Sequence, residues 1–166
     1  IFLALIIWIK LDSKGPVLFK QKRVGIYKSH FQILKFRTMR IDTPKDMPTH
    51  LLKDPTQYIT KVGKFLRKTS LDELPQLLNV LRGEMSIVGP RPALPEEAEK
   101  YNEKQKLRLS IEPGITCYWQ IQPRRNSLRF EEWLDLDLKY LQDRCFYVDW
   151  KIMFATMKAI ARMDGE

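Results

Sequence analysis

Cysteine and histidine are scarce in this sequence, two of each. Cys117 and Cys145 lack zinc-ligand spacing and His30 and His50 stand far apart, so no Cys/His metal site can be built from them. Two thiols without a pairing pattern suit a reducing compartment. Glycine is sparse too, at seven. None of these glycines forms a Walker A loop or another glycine-rich phosphate cradle, which excludes an ordinary P-loop nucleotide enzyme. Long apolar runs are missing as well. The stretch IFLALIIWI covers nine residues, whereas a bilayer-spanning helix needs about 20. No basic leader or small-residue cleavage site marks it as a signal peptide. It is apolar all round and Lys10 follows at once, as at a membrane interface. We read it as the tail of a longer membrane helix, the alternative being a buried helix end.

What the sequence does have is positive charge. Twenty-nine Lys and Arg against twenty Asp and Glu leave a net charge of +9 on 166 residues. That balance points to an anionic partner: nucleic acid, an acidic lipid surface or a polyphosphate substrate. The length suits one domain, and 44% apolar residues support a folded core.

Gly15 and Pro16 end the first helix. VLFKQKRVG and HFQILKFRTM read as two strands of a β-hairpin joined by residues 26–30. Phe31, Ile33 and Lys35 fall on one face of the second strand, and Gln32, Leu34 and Phe36 on the other. Residues 42–60 are rich in Pro, Asp and Thr and read as a surface excursion. KVGKFLRK resumes an apolar pattern, and a helix is expected from about 70 to 82, stopped at Gly83 with Arg82 in its last turn. MSIVGPRP is a short extended piece. PEEAEKYNEKQKLRLS reads as one polar helix with Glu96 and Lys100 as an i,i+4 pair. EPGITCYWQIQPRRN is a loop with short extended parts. SLRFEEWLDLDLKYLQDR is an amphipathic helix with Phe130, Trp133, Leu134, Leu138 and Leu141 on one stripe. In the last helix, DWKIMFATMKAIARM, Ile152, Met153, Met157 and Ile160 lie together, either in the core or on a membrane surface.

Chemistry concentrates in RKTSLDELPQLLNVLRGEMSIVGPRP, residues 67–92. Ser70-Leu71-Asp72-Glu73 fits a capping box, Ser70 at N-cap and Glu73 at N3, with both acids complementing the helix dipole. Three features go beyond a cap. Pro75 lies within the first turn and a half and cannot donate to the Leu71 carbonyl. Neighbouring helical residues point about 100° apart, so one acid can cap while the other faces a cleft. Arg67, Lys68, Arg82 and Arg91 surround the acids in sequence. Carboxylates beside cations, with a phosphate substrate and Mg2+, suggest phosphoryl transfer through a carboxylate nucleophile. Nearby cations would keep that carboxylate ionised.

GPVLFKQKRVG, FQILKFRTM, KVGKFLRKTSLDELPQLLNVLRGEMSIVGPRP and PGITCYWQI, in this order, resemble the bacterial sugar transferases, the monotopic polyprenyl-phosphate phosphoglycosyl transferases. The resemblance runs from about residue 10 to the end. It implies an α+β fold, mostly helical, with an N-terminal β-hairpin and the acid pair at a helix N-terminus. It makes residues 1–10 the last part of a re-entrant membrane helix and 11–166 a catalytic domain on the cytoplasmic face of the bacterial plasma membrane. It implies transfer of a sugar 1-phosphate from a UDP-sugar to undecaprenyl phosphate with release of UMP. By the same resemblance Asp72 matches the nucleophile and Glu73 its partner, the two binding Mg2+. Lys35 matches a basic residue near the pair. Arg67 and Arg91 match arginines that hold phosphate or shape the pocket, and Arg125 and Asn126 match a pair in nucleotide or phosphate contact. Two departures touch that pocket: Cys117 replaces a second Gly after PGIT, and QPRRN replaces a more usual GRN, which lets Arg124 share the role of Arg125. Anionic membrane lipid is the further expected partner, and nucleic acid is not, because the aromatics interleave with acids. The rival reading is a non-catalytic basic module that docks on an anionic membrane without using the acid pair.

Overall fold

The computed structural model describes residues 2–43, 55–122 and 128–162. Helix α1 (Phe2–Asp12) continues past Lys10. Leu5 and Ile9 turn inward onto Phe36, Val62 and Leu66, while Phe2, Leu3, Ile7, Trp8 and Leu11 face outward. The Asp12 carboxylate accepts from the backbone N–H of Val62 at 3.3 Å. Arg37 donates to the carbonyls of Ser13 and Lys14 at 2.8 and 2.7 Å, tying down the chain after α1. No helix among the described residues is long and apolar enough to cross a membrane.

The hairpin forms as the alternation predicts. Strands β1 (Leu18–Val24) and β2 (His30–Phe36) pair antiparallel from Leu18↔Phe36 to Val24↔His30. Strand β2 is buried on both faces. Phe31 and Ile33 pack with Met85, and Phe36 joins the core under α1. Lys35 follows Phe31 and Ile33 on their face at the strand's end, half-buried.

After β2 the chain runs against helix α2 (Lys61–Lys68), whose N-cap Thr60 accepts from Gly63 N at 2.9 Å. Gly63 has a steric reason: a Cβ there would stand 2.1 Å from the Thr38 carbonyl oxygen. The expected continuous helix from 70 to 82 is two pieces, a 3-10 turn (Leu71–Glu73) and helix α3 (Gln76–Leu81). The capping box is overturned. Ser70 sits at φ 54°, and its side chain makes no cap hydrogen bond. Its N–H bonds to Arg67 O at 3.1 Å, so Ser70 terminates α2 in a left-handed turn and does not open a new helix. Pro75, wholly buried, separates the two pieces by its missing N–H. The stop at Gly83 is as expected: its φ is 72°, and Glu84 N closes onto Asn79 O at 2.9 Å.

The extended pieces pair unexpectedly. Strands β3 (Ser86–Val88) and β4 (Gly114–Thr116) lie parallel, Ser86 opposite Gly114 and Val88 opposite Thr116. Gly89 and Gly114 cross so closely that a Cβ on Gly114 would lie 2.0 Å from Gly89 N. The polar helix expected over 95–110 breaks into α4 (Pro95–Ala98), α5 (Glu103–Lys106) and a 3-10 turn (Leu107–Ser110). Asn102 causes the break by capping α5, accepting from Gln105 N at 2.9 Å. Lys100 lies beyond the end of α4, its N–H bonding back to Glu97 O at 3.1 Å.

Helix α6 (Phe130–Asp143) buries Leu134 and Leu138 of its predicted stripe, with Trp133 and Leu141 packed against the same core. Helix α7 (Phe146–Ala161) puts Ile152 into that core and leaves Met157 and Ile160 exposed. Its outer face carries Phe146, Tyr147, Trp150 and Phe154. The result is an α+β fold, with two small sheets among the helices of the described residues. Much of the surface excursion over 42–60 falls outside the described residues.

Candidate active site

Three elements bring charge together around the acid pair. Strand β2 supplies Lys35, whose Nζ donates to Glu73 Oε1 at 2.6 Å. Both side chains are about a quarter exposed, at 26% and 27%. Helix α2 supplies Arg67, fixed by its Nε donating to Thr38 Oγ1 at 3.0 Å. The 3-10 turn supplies Asp72, only 9% exposed. Burial raises the Asp72 carboxyl from the usual 3.8 to about 6. That value is the net outcome, with Lys35 and Arg67 acting to lower it and the neighbouring Glu73 to raise it. Lys35, Arg67, Asp72 and Glu73 thus converge, as the resemblance implies, although they come from three separate segments. Leu71 and Leu74 pack into the cluster of Phe36, Val62 and Leu66, seating the turn.

Arg91 is placed differently. Its guanidinium lies 5.9 Å from the ring centroids of both Trp119 and Trp133, and those indoles stack at 4.8 Å. Two buried arginines hold its loop by backbone carbonyls. Arg108 Nη2 donates to Arg91 O at 2.9 Å, and Arg23 Nη1 donates to Pro92 O at 3.0 Å. Arg108 is itself paired with Asp137 of α6 at 2.5 Å, both side chains almost entirely buried. Burial raises Asp137 toward about 6 and Arg108 opposes it. Arg124, Arg125 and Asn126 lie outside the described residues.

Sequence reasoning missed three members of this architecture. Asn79, wholly buried, accepts from Leu34 N at 3.0 Å and donates to Gln32 O at 2.8 Å and Glu84 Oε2 at 2.6 Å. A lone amide inside the apolar run LLNVL was the signal for it. Asp137 reads as one of the solvated acids in LDLDLK, yet it is fully enclosed. Thr38, which holds Arg67, left no mark beyond its place in FRTM.

The donor set bears on a divalent metal. No group of three or more His, Cys, Asp or Glu gathers among the described residues. Two adjacent carboxylates are nevertheless what Mg2+ uses when phosphate oxygens and water complete its shell. Asp72 also keeps a raised pKa despite Lys35 and Arg67, so a further cation there would favour its ionised form. The residues fit a metal shared with a phosphate substrate.

Comparison with known proteins follows the same lines. The family model described as bacterial sugar transferase matches residues 1–163. The chain is 46% identical over 163 residues to the galactosyl transferase CpsE of Streptococcus agalactiae serotype III (strain NEM316), covering 91% of this chain and 36% of that protein. It is 41% identical over 157 residues to the uncharacterized sugar transferase EpsL of Bacillus subtilis (strain 168), covering 95% and 76%. It is 41% identical over 157 residues to the UDP-glucose:undecaprenyl-phosphate glucose-1-phosphate transferase of Escherichia coli (strain K12), covering 90% and 33%. The chain therefore spans about a third of the length of CpsE and of the E. coli protein, and about three quarters of EpsL. With the family model matching nearly every residue, the chain belongs to the bacterial sugar transferase family.

Proposed function

We propose that the protein transfers a sugar 1-phosphate from a UDP-sugar to undecaprenyl phosphate, releasing UMP, as the first membrane step of exopolysaccharide or glycan assembly. The observation that carries this reading is the buried Asp72 beside the 2.6 Å Lys35–Glu73 pair, in a chain of this family. The name of the E. coli relative gives the donor and acceptor chemistry by analogy.

The reaction runs in two displacements at one phosphorus. An Asp72 carboxylate oxygen bonds to the sugar-bearing phosphorus of the donor. The bond from that phosphorus to the bridging oxygen breaks, and UMP leaves with the electron pair. A phosphate oxygen of the lipid acceptor then attacks the same phosphorus and displaces Asp72, leaving a lipid diphosphate sugar. Glu73 assists, held in place by Lys35. Lys35 and Arg67 favour the Asp72 anion and stabilise charge developing on the transferred group. Asp72 and Glu73 would hold Mg2+, which supplies neutralising charge to the phosphates when bound. Arg91, Arg124, Arg125 and Asn126 are assigned to phosphate or nucleotide contact. The site then belongs at the cytoplasmic face of the bacterial plasma membrane, where a soluble nucleotide sugar meets a lipid phosphate. The +9 charge suits an anionic leaflet as well as both substrates.

UMP release, measured across UDP-glucose, UDP-galactose and N-acetylated UDP-sugars with undecaprenyl phosphate and Mg2+, tests the proposal. Asp72→Asn is expected to abolish turnover while donor binding persists. Undiminished UMP release in that variant would overturn the assignment of Asp72 as nucleophile, whereas no UMP release from the wild-type protein with any donor would leave the non-catalytic membrane-docking module.

A further inference from the structure

Asn79 is a wholly buried amide in an apolar helix, and both ends of its side chain are bonded. Its Oδ1 accepts from Leu34 N, and its Nδ2 donates to Gln32 O and to Glu84 Oε2. Gln32 and Leu34 stand opposite Lys22 and Lys20 in the hairpin register. The backbone groups they give to Asn79 therefore lie on the edge of β2 turned away from β1. The amide sits where the next strand of a larger sheet would pair. Hydrogen bonds to a strand edge are directional, so they fix how far α3 slides along β2, which apolar packing alone does not.

That offset matters for the neighbouring residues. Lys35 directly follows Leu34, and the acid pair lies just upstream of α3 across the buried Pro75. We infer that Asn79 is a positioning residue: by locking α3 to the outer edge of β2, it sets the reach of Lys35 to Glu73 and the place of both beside Asp72. The inference rests on the transfer reaction proposed above. It assigns Asn79 no contact with substrate.

The first half-reaction provides the test. UDP-glucose or UDP-galactose is mixed with the protein and Mg2+ without acceptor, and the pre-steady-state burst of UMP is followed. Burst amplitude counts competent enzyme, and the rate constant reports alignment of the reacting groups. Asn79→Asp keeps the shape and the acceptor for Leu34 N but loses both Nδ2 bonds and faces Glu84. Asn79→Leu removes every bond at similar volume. Both are expected to slow the burst by about 10- to 100-fold, the scale of a misplacement of about 1 Å, with amplitude per folded molecule preserved and donor KM within about threefold. Pairing Asn79→Asp with Glu84→Gln removes the acid–acid repulsion, so this variant keeps the test valid if Asn79→Leu fails to fold. It is expected to regain stability but not rate, since Gln32 O still lacks its donor. A wild-type rate constant in any folded Asn79 variant, with only the amplitude reduced, would show a purely structural role and overturn the inference. No burst from the wild-type protein with any UDP-sugar would remove the transfer reading itself, and this inference with it.

Discussion

Ser70 holds φ at 54° immediately before the turn that carries Asp72 and Glu73, a conformation costing about 1–3 kcal/mol for a residue with a Cβ. Glycine adopts it freely but loses about 0.4–1 kcal/mol through the unfolded chain. Ser70→Gly is therefore expected to stabilise the protein by about 1 kcal/mol, read as a shift in the urea midpoint. A capping serine would give a loss instead. Asp72 has a pH signature. Its folded-state pKa, about 6, is raised above the usual 3.8, so the native state holds the proton more tightly. The associated stability is complete below pH 3.8 and is lost as pH rises through about 6. In metal-free buffer Asp72→Asn should therefore become more stable than wild type as pH climbs from 4 to 7. The gap should level off on the order of 3 kcal/mol. Urea unfolding of both proteins at pH 4 and pH 8 measures it, and an unchanged gap would mean that Asp72 is not desolvated.

At the level of elements, Gly63 lets α2 lie on the backbone at Thr38, and Thr38 in turn orients Arg67. Gly63→Ala forces a Cβ against a carbonyl and should cost about 2 kcal/mol or more. Turnover should fall further than the loss of folded protein explains, since Arg67 moves with α2. Denaturant titration together with UMP release per folded molecule separates the two effects. Much of this level was legible in the sequence. The strand alternation gave the hairpin, Gly83 gave the end of α3, and the stripe containing Leu134 and Leu138 gave α6. The rest depended on non-local geometry. SLDE satisfies the local capping rule, yet Pro75 and the left-handed Ser70 override it. Residues 95–110 carry good helix formers throughout, and Asn102 still restarts the chain. The β3–β4 pair joins segments too short and too far apart for a pattern to reveal. In the site, Asp72, Glu73 and Arg67 already stood out in the local sequence, and the resemblance to a family added Lys35 and a role for each. Asn79 and Asp137 were hidden because a buried polar side chain looks like a surface one until its partner is known.

For the whole molecule, net charge and apolar exposure act together. The outward faces of α1 and α7 carry Leu3, Trp8, Trp150 and Phe154 on a chain of charge +9. The proposed anionic lipid partner then predicts cosedimentation with phosphatidylglycerol vesicles that weakens with rising salt, since the Debye length shrinks to about 3 Å at 1 M. Trp150→Glu should lower binding at every salt concentration, and equal binding to neutral and anionic vesicles would contradict the electrostatic share. The hairpin carries another consequence for the molecule. A two-stranded sheet normally offers two open ladders to any passing chain, a route to strand exchange and fibrils. Here the outer edge of β2 is occupied by Asn79, and β1 is met by Ala93, which accepts from Val24 N at 2.9 Å. The more open stretch of β1 carries Lys20 and Lys22, both exposed, and clustered charge disfavours stacking of like strands. The contacts that order the reacting groups therefore also guard the sheet against self-templated aggregation.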